Sequence, residues 1–304
     1  MSQLPNLIIP GAPKSATTSL CEYFKQHKDI FVPQIKEPRF FVAQTIKNLS
    51  QADPFREYLI KSSTLTQEAY EDIYKESELA EYRCDASVQY LYYHEIVIPE
   101  IKKYLGDPII LIVLRNPVER AFSNYTYLKK DRQYSFEEAI ALETSRQKEG
   151  WNSFWFYIGQ GYYYEQVKHY MDAFSRVKIV LMDDFNNDAN SVLNDIFDFL
   201  EVPRINIDAK TMYNKSGVPR NKFVEWIIFN DNFLKKGIRH FINKKYSTSE
   251  RERLRRNIKN RFLKKSDLTL SVQTHNNLID LYREDILKLQ DMIKRDLTGW
   301  LVKK

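Results

Sequence analysis

The sequence is poor in cysteine, glycine and proline: its 304 residues include 2 Cys, 8 Gly and 11 Pro. The two cysteines, Cys21 and Cys84, cannot build a disulfide framework, and neither lies in a CxxC motif or a Cys/His cluster. The 5 histidines are scattered without the spacing of a metal-binding motif. Low Gly and Pro content excludes collagen-like and low-complexity chains. We therefore expect a packed globular protein without a bound metal.

Long hydrophobic runs are also missing. The longest, Ile109–Leu114, is far shorter than the roughly 20 residues that a membrane-spanning helix needs, and Arg115 ends it. The first residues, Met1–Pro5, lack the basic stretch and long apolar core of a signal peptide. These features lead us to expect a chain without a transmembrane segment, located in the cytoplasm.

Hydrophobic residues make up 43% of the chain and aromatic residues 14%, which is enough to build a sizeable core. The formal net charge is +6, but it is unevenly distributed. Lys235–Lys265 contains thirteen Lys and Arg against two Glu, a local balance of +11. Such a segment attracts an anionic partner or is simply a solvated helix face, and the sequence leaves both interpretations open.

Strand and helix patterns alternate along the chain, which is typical of an α/β fold with a parallel sheet. Short apolar runs predict buried strands at Leu7–Ile9, Ile109–Leu114 and Lys178–Met182. Helical patterns follow these runs, and a long C-terminal helix is predicted from about residue 274 to 296. The continuously apolar Ile109–Leu114 is the best candidate for a central strand. The polar segment from Asn48 to Tyr82 is expected to be peripheral.

The first candidate site is Gly11–Ser19, where a strand, a loop and a helix follow one another. The N–H groups of a helix N terminus attract anions, and Lys14 adds a full positive charge. Hydroxyl donors for phosphate or sulfate oxygens are supplied by Ser15, Thr17, Thr18 and Ser19. Pro13 stands where the triphosphate-binding GxxxxGK[ST] loop has Gly, which disfavours a triphosphate-plus-magnesium site. An ordinary Ser/Thr-rich N-cap is the alternative interpretation.

The second candidate site combines Arg115, at the carboxyl end of the Ile109–Leu114 strand, with Ser123 in the following helix. In an open α/β sheet, ligands bind outside the carboxyl ends of the strands, where Lys14 is also expected. A guanidinium group matches phosphate with two hydrogen bonds, and Ser123 adds a hydroxyl donor. Alternatively, Arg115 forms an ion pair with Glu119, and Ser123 is a small residue packed in its helix.

Charged residues adjoin two aromatic rings in the third candidate site, Lys36–Phe41. A carboxylate beside apolar rings has its pKa raised toward neutral pH, which suits a general base. Glu37 is therefore the candidate base. A surface ion pair of Glu37 with Lys36 or Arg39 is the alternative interpretation.

These three segments, in this order, resemble those of sulfotransferases that use 3′-phosphoadenosine 5′-phosphosulfate (PAPS), in particular the branch of heparan-sulfate and bacterial carbohydrate sulfotransferases. Pro10–Leu20 resembles the 5′-phosphosulfate loop, Leu111–Tyr125 the 3′-phosphate motif, and Lys36–Phe41 a KEPHFF-type string. Further similar segments are Asp85–Tyr90, Gly161–Val167, Met182–Phe185, Asn214–Arg220 and Asp296–Leu301. The unmatched segments 45–80 and 230–265 are expected to be family-variable insertions.

The resemblance implies a single α/β domain over residues 1–304, with a central parallel sheet, flanking helices and a P-loop-like strand–loop–helix unit. It also implies metal-free transfer of a sulfuryl group from PAPS to an acceptor hydroxyl or amine, releasing adenosine 3′,5′-bisphosphate. Glu37 would then be the general base, and Lys14 would stabilise the leaving phosphate. The donor would be held by Lys14, Ser15, Ala16, Thr17, Thr18, Ser19, Arg115 and Ser123.

Two residues depart from the family pattern. Arg39 stands where the family often has His, which favours a more anionic acceptor or an ion pair. Ala86 stands where heparan-sulfate enzymes carry Lys, so the resemblance does not fix the acceptor. An anionic glycan or a lipid-linked acceptor is the expected partner, and nucleic acid is not.

Two other functions are weighed against sulfuryl transfer. A P-loop small-molecule kinase shares the strand–loop–helix start, but it needs the GK[ST] cradle that this sequence lacks. A non-enzymatic binder of nucleic acid or membranes would explain the basic segment, but not the separate anion-site segments that precede it.

Overall fold

The computed structural model describes residues 4–207, 218–219, 263–264 and 268–304. The chain divides into two compact units, Met1–Asn214 with Leu270–Lys304, and Lys215–Thr269. In the second unit, Val218–Pro219 pairs antiparallel with Leu263–Lys264. Apart from Leu263–Lys264, the basic segment 235–265 and the expected insertion 230–265 lie outside the described residues, as does most of the 214–220 motif. The single domain over 1–304 therefore stays a prediction.

Five parallel strands form the sheet of the first unit in the order β2-β3-β1-β4-β5. Their bounds are β1 Leu7–Ile8, β2 Ile30–Phe31, β3 Tyr82–Asp85, β4 Ile109–Leu114 and β5 Val177–Leu181. Strand β4 has the predicted bounds and is an interior strand, although β1 holds the middle position. The other two predicted strands are present with ends displaced by one residue. The predicted α/β class with a parallel sheet is confirmed.

Helices connect the strands. Their bounds are α1 Thr17–Phe24, α2 Ala43–Lys47, α3 Arg56–Ser62, α4 Gln67–Asp72, α5 His94–Leu105, α6 Pro117–Tyr127, α7 Phe136–Ala141, α8 Glu143–Lys148, α9 Tyr163–Ala173, α10 Met182–Leu200 and α11 Val272–Ile293. Short 3₁₀ turns lie at Phe40–Val42, Lys129–Gln133, Ser153–Trp155, Gly159–Gly161 and Thr298–Leu301. None of the helices described is long and apolar enough to cross a membrane.

Both faces of the sheet are covered, which explains why β4 is continuously apolar. Side chains alternate between the faces of a strand, so Ile110, Ile112 and Leu114 belong to one hydrophobic cluster and Ile109, Leu111 and Val113 to the other. Helices α5, α6, α9 and α11 contribute to the first cluster, and helices α1 and α10 to the second. Burial on both sides leaves no solvent-facing position in β4 for a polar residue.

Strands β1 and β4 are neighbours in the sheet, and the chain leaves them in opposite directions. After β1 the chain runs to β2 on one side of the sheet, and after β4 it runs to β5 on the other. Such a switch in strand order opens a crevice at the carboxyl ends of the two strands. The segments that follow β1 and β4 contain Lys14 and Arg115, so the topology brings the first two candidate sites to one crevice.

The expectation that residues 48 to 82 are peripheral is wrong. Leu59, Tyr70 and Tyr74 are fully buried in the core cluster that also contains β4 residues. The Tyr74 hydroxyl donates to the carbonyl oxygen of Cys84 at 3.3 Å. Short helices α3 and α4 each bury only one side chain, so their average composition is polar although they belong to the core.

Candidate active site

The segment after β1 is held to the sheet by backbone hydrogen bonds beyond the end of the strand. The N–H of Ala12 donates to the carbonyl of Val113 at 2.6 Å, and the N–H of Val113 donates to the carbonyl of Gly11 at 2.9 Å. A Cβ on Gly11 would lie 2.7 Å from the Cβ of Leu91, so the close approach requires glycine. The first half of the loop is therefore fixed by its neighbours.

The second half of the loop turns sharply into α1. Lys14 and Ala16 have left-handed backbone conformations, with φ of 67° and 61°. Ala16 holds the N-cap position, and among the described residues no side chain caps the helix. The alternative of an ordinary Ser/Thr N-cap is therefore wrong. Among the described residues, the first N–H groups of α1 are therefore left without a capping side chain, as an anion site requires.

Four hydroxyl residues follow Lys14, and they differ in burial. Ser15 and Thr17 are buried, whereas Thr18 and Ser19 are half-buried. The Ser15 Oγ has no hydrogen-bond partner among the described residues. A buried hydroxyl without a partner is costly and rare, so this group fits a site completed by an acceptor from a ligand.

The Lys14 side chain lies beside the end of α6. Its Nζ is 4.0 Å from the centre of the Tyr127 ring, a cation–π contact. Tyr127 is 66% exposed, so this contact is at the surface, where such contacts contribute little stability.

Arg115 follows β4 directly and reaches the Lys14 loop. Its Nη1 donates to the Lys14 carbonyl at 3.3 Å, whereas Nε and Nη2 donate to Glu119 Oε2 at 3.2 and 3.0 Å. The Arg115 carbonyl accepts a hydrogen bond from the Tyr163 hydroxyl at 3.0 Å. The ion pair with Glu119 is thus present, but Glu119 is 56% exposed, and an exposed pair of this kind is weak.

Ser123 lies two turns into α6 and is half-buried. Helix α6 begins with Pro117, and the Asn116 side chain caps it by accepting from the N–H groups of Val118 and Glu119 at 3.0 and 3.3 Å. Within the described ranges, no hydrogen bond joins the Ser123 hydroxyl to Arg115 or to the Lys14 loop. The structure therefore connects Arg115, but not Ser123, directly to the first candidate site.

The Lys36–Phe41 segment carries a compact cluster of charges. Glu37 lies between two cations: its Oε1 is 3.2 Å from Lys36 Nζ, and its Oε2 accepts a hydrogen bond from Arg39 Nη2. Arg39 is buried, and its Nη1 also donates to the hydroxyls of Ser62 and Ser63 at 3.3 and 3.4 Å. The alternative of an ion pair is therefore confirmed, with Arg39 in an internal pair.

The expected rise in the pKa of Glu37 is wrong. Burial by itself raises the pKa of this carboxyl, but the positive charges of Lys36 and Arg39 outweigh burial, and the net pKa is lowered. The two rings of the segment pack elsewhere. Phe40 stacks on Tyr70 with centroids 4.4 Å apart, and Phe41 lies in the core. The rings anchor the segment, while its cations set the charge state of Glu37.

A buried carboxylate at the end of β3 supports the Glu37 segment. Asp85 accepts hydrogen bonds from the hydroxyls of Tyr70, Tyr90 and Ser87 at 2.8, 3.0 and 2.6 Å. Ser87 Oγ in turn accepts from the backbone N–H of Arg39 at 3.0 Å. Burial raises the pKa of Asp85 to about 6, although the three hydroxyl donors favour its ionised form. The chain from Asp85 through Ser87 fixes the backbone beside the candidate base.

A single side chain joins the first and third candidate sites. Lys36 Nζ donates to Thr18 Oγ1 in the first turn of α1, and it also contacts Glu37. With the Arg115 contact to Lys14, three segments distant in sequence meet at one end of the sheet. From the sequence, Lys36 is expected only to form an ion pair with Glu37. Its position next to Glu37 was a sequence signal for a place in the site. The contact of Lys36 with Thr18 could not be predicted, because it depends on how the chain folds back after α1.

Residues near the C terminus form hydrogen bonds around the turn between β4 and α6. Trp300 accepts a hydrogen bond from the Asn116 side chain at 3.4 Å through its carbonyl, and its indole donates to Asp183 at 2.7 Å. Asp285 accepts from the backbone N–H of Tyr163 at 2.8 Å. Distant parts of the sequence therefore support the turn between β4 and α6, which carries Arg115.

Comparisons with known proteins agree with this geometry. A model of the sulfotransferase family matches residues 5–206. Two human proteins, heparan sulfate glucosamine 3-O-sulfotransferases 3B1 and 3A1, are each 26% identical over 227 residues, which is 73% of this chain and 53% and 51% of theirs. The chain thus spans about half the length of the curated relatives it matches. A sulfotransferase structure from Alicyclobacillus acidocaldarius has a TM-score of 0.71 and 25% identity, covering 97% of this chain and 98% of that one.

The class of protein follows from the fold and the family match together: the chain is a parallel α/β protein of a transferase family. It belongs to the sulfotransferase family, because the family model matches well over half of its residues. The family resemblance predicted from the sequence is confirmed. The P-loop kinase alternative is not favoured.

Proposed function

We propose that this sulfotransferase transfers a sulfuryl group from PAPS to a hydroxyl group of a carbohydrate acceptor. The observation that carries the proposal is the meeting of three segments at one end of the sheet: Arg115 contacts the Lys14 carbonyl, and Lys36 joins Thr18 to Glu37. Two groups of anion-binding residues and one carboxylate therefore share one crevice.

The donor-binding residues divide into two groups. Arg115 and Ser123 hold the 3′-phosphate, which fixes the nucleotide at a distance from the reacting atoms. The loop of Lys14, Ser15, Ala16, Thr17, Thr18 and Ser19 surrounds the phosphosulfate. The uncapped N terminus of α1 and the unpartnered Ser15 hydroxyl support this assignment.

Lys14 and Glu37 carry the chemical step. Glu37 takes the proton of the acceptor hydroxyl as its oxygen attacks sulfur, and the bond between sulfur and the bridging oxygen breaks in line with this attack. Lys14 neutralises the negative charge that grows on the bridging oxygen, so its stabilisation is largest in the transition state. Adenosine 3′,5′-bisphosphate is released, and no metal is needed.

A carbohydrate is the favoured acceptor because the curated relatives are named as glucosamine sulfotransferases. Arg39 does not add positive charge for a polyanionic glycan, since it is buried and paired with Glu37. A lipid-linked acceptor and an amine are the alternatives. A panel of sugar, lipid and amine acceptors assayed with labelled PAPS separates them.

The donor site is tested by thermal unfolding with adenosine 3′,5′-bisphosphate in the absence of magnesium. At 100 times Kd, a ligand that binds only the folded state adds about 2.7 kcal/mol of stability, which raises Tm by roughly 4 °C in a chain of 304 residues. We expect Arg115→Ala to lose most of this shift.

The matched control is Arg204→Ala, because Arg204 is 62% exposed and, among the described residues, its ion pair is with Asp198. This variant is expected to keep the full shift. If the native protein shows no shift with this nucleotide but a shift with ATP and magnesium, sulfuryl transfer from PAPS is wrong.

A further inference from the structure

We propose that Lys36 is a second donor-binding cation, and that arrival of PAPS moves its ammonium group from the Glu37 carboxylate to the sulfuryl oxygens, which releases the base for reaction. The inference rests on the proposed function. It assigns to this site a coupling between donor binding and the proton affinity of Glu37. Lys36 contacts Thr18 on one side and Glu37 on the other.

The position of Lys36 is the first argument. Thr18 belongs to the loop proposed to hold the phosphosulfate, and Glu37 is the proposed base. In an in-line transfer, the sulfur atom passes between these two groups. An ammonium group in contact with both of them therefore lies next to the path of the sulfuryl group, where negative charge is present before and after transfer.

The second argument is the difference between the two cations that hold Glu37. Arg39 is buried, its guanidinium is hydrogen-bonded to Ser62 and Ser63, and its backbone N–H is held by Ser87. Lys36 is 36% exposed and carries its charge on a flexible four-carbon stem. Arg39 is thus a fixed partner of Glu37, whereas Lys36 is the partner that can move.

The third argument is electrostatic. A phosphosulfate brings two negative charges to the Thr18 side of Lys36, against the single charge of Glu37 on the other side, so the ammonium group is drawn toward the donor. Glu37 then loses one of its two cations and gains a nearby anion. Both changes raise the proton affinity of the carboxylate, so the base becomes stronger when the donor is present.

During sulfuryl transfer, the acceptor oxygen forms a bond to sulfur and the bond from sulfur to the bridging oxygen breaks. The electron pair of the broken bond stays on the phosphate of the departing nucleotide. The acceptor proton goes to Glu37. Lys36 stays with the sulfuryl oxygens through the transfer, while Lys14 faces the bridging oxygen.

The pH dependence of kcat and of kcat/KM distinguishes this proposal from a purely structural role of Lys36, which would leave both pH profiles unchanged. The titratable and charged groups that face Glu37 are Lys36, Arg39, Tyr127 at the end of α6 and Cys21 in α1. The acidic limb of kcat/KM for PAPS reports Glu37 before the donor binds, whereas the limb of kcat reports it in the complex. We expect the kcat limb of the native enzyme to lie at higher pH than the kcat/KM limb.

The variant that tests the proposal is Lys36→Met, with Lys61→Met as the matched control. Lys61 is 77% exposed, and its ion pair within the described part of the chain is with the exposed Glu57, at 3.8 Å. In Lys36→Met we expect KM for PAPS to rise about tenfold and kcat to fall about tenfold, as for the loss of one charge-assisted contact. Affinity for adenosine 3′,5′-bisphosphate, which has no sulfuryl group, is expected to change less than twofold. Without the Lys36 charge, the pKa of Glu37 in the free enzyme is higher, so the acidic limb of kcat/KM moves to higher pH. The acidic limbs of kcat and kcat/KM are therefore expected to converge.

Three results would overturn the inference: unchanged kinetics in Lys36→Met, equal weakening of PAPS and adenosine 3′,5′-bisphosphate, or pH limbs that keep their native separation. Lys36→Arg keeps the charge and is expected to restore donor KM more fully than the pH limbs, because its guanidinium is less mobile. Failure of the native protein to bind adenosine 3′,5′-bisphosphate would overturn the proposed function instead.

Discussion

The Lys14 loop with the start of α1 contacts the Lys36–Phe41 segment through Lys36 and Thr18, but the two segments are built in different ways. The Lys14 loop is fixed by backbone hydrogen bonds to β4 and by the close contact of Gly11 with Leu91. The Lys36–Phe41 segment is fixed by side chains: the Phe41 ring is buried in the core, the half-buried Phe40 ring packs against it, and the charges of the segment pair with one another.

The two segments also differ in how far each is prepared for its proposed role, which is anion binding for the Lys14 loop and proton acceptance for Glu37. The Lys14 loop presents N–H groups, an ammonium group and an unpartnered hydroxyl, so it needs only an anion to be complete. Glu37 is neutralised by its own neighbours, and its pKa is lowered. In the proposed function, the donor side is therefore preorganised for binding, whereas Glu37 requires a change in its electrostatic surroundings before it accepts a proton.

The largest effect is expected on the base side. Glu37→Gln keeps the size of the side chain and an acceptor for Arg39, but removes the basic carboxylate. We expect kcat to fall about a thousandfold, within the range for loss of a general base, while affinity for adenosine 3′,5′-bisphosphate is retained. Steady-state kinetics and calorimetry measure the two quantities. Glu57→Gln is the control, since Glu57 is 68% exposed; a kcat within tenfold of native in Glu37→Gln would exclude Glu37 as the base.

A smaller effect is expected on the donor side. Lys14→Met removes the charge that faces the bridging oxygen, and we expect kcat/KM for PAPS to fall about a hundredfold, as for the loss of one preorganised electrostatic contact. The backbone of the loop is held by β4, so the far-UV spectrum and Tm should stay close to native. A loss of activity accompanied by unfolding would show that Lys14 is structural, and would remove the contrast between the two segments.

The smallest effect concerns the support of the base segment. Because burial raises the pKa of Asp85 to about 6, the folded state binds this proton more tightly than the unfolded state. The contribution of Asp85 to stability is therefore largest at acidic pH and is lost as pH rises through about 6. Relative to Asp85→Asn, the native protein should gain about 1 kcal/mol of unfolding free energy between pH 7 and pH 5. Urea unfolding at the two pH values checks this, and a difference of opposite sign would contradict the assignment.

Patterns local in sequence predicted a large part of the fold. Strand β4 agrees with its predicted bounds because burial on both faces requires an unbroken apolar run. Helix α6 begins at Pro117 as predicted, and the ion pair of Arg115 with Glu119 follows from their spacing of four residues. The segment from 48 to 82 was wrongly expected to be peripheral, since single buried residues such as Tyr70 leave little trace in a polar sequence.

The sequence by itself determined the class of fold, the family and the three candidate site segments, because strand burial, turn geometry and anion-binding residue types are local properties. Only the tertiary structure decided which groups act on one another. The contact of Lys36 with Thr18, the burial of Arg39 against Glu37 and the hydroxyl cluster around Asp85 join residues from separate strands and loops. The direction of a pKa shift depends on the distances and burial of these partners, and the order of residues along a chain does not contain those distances.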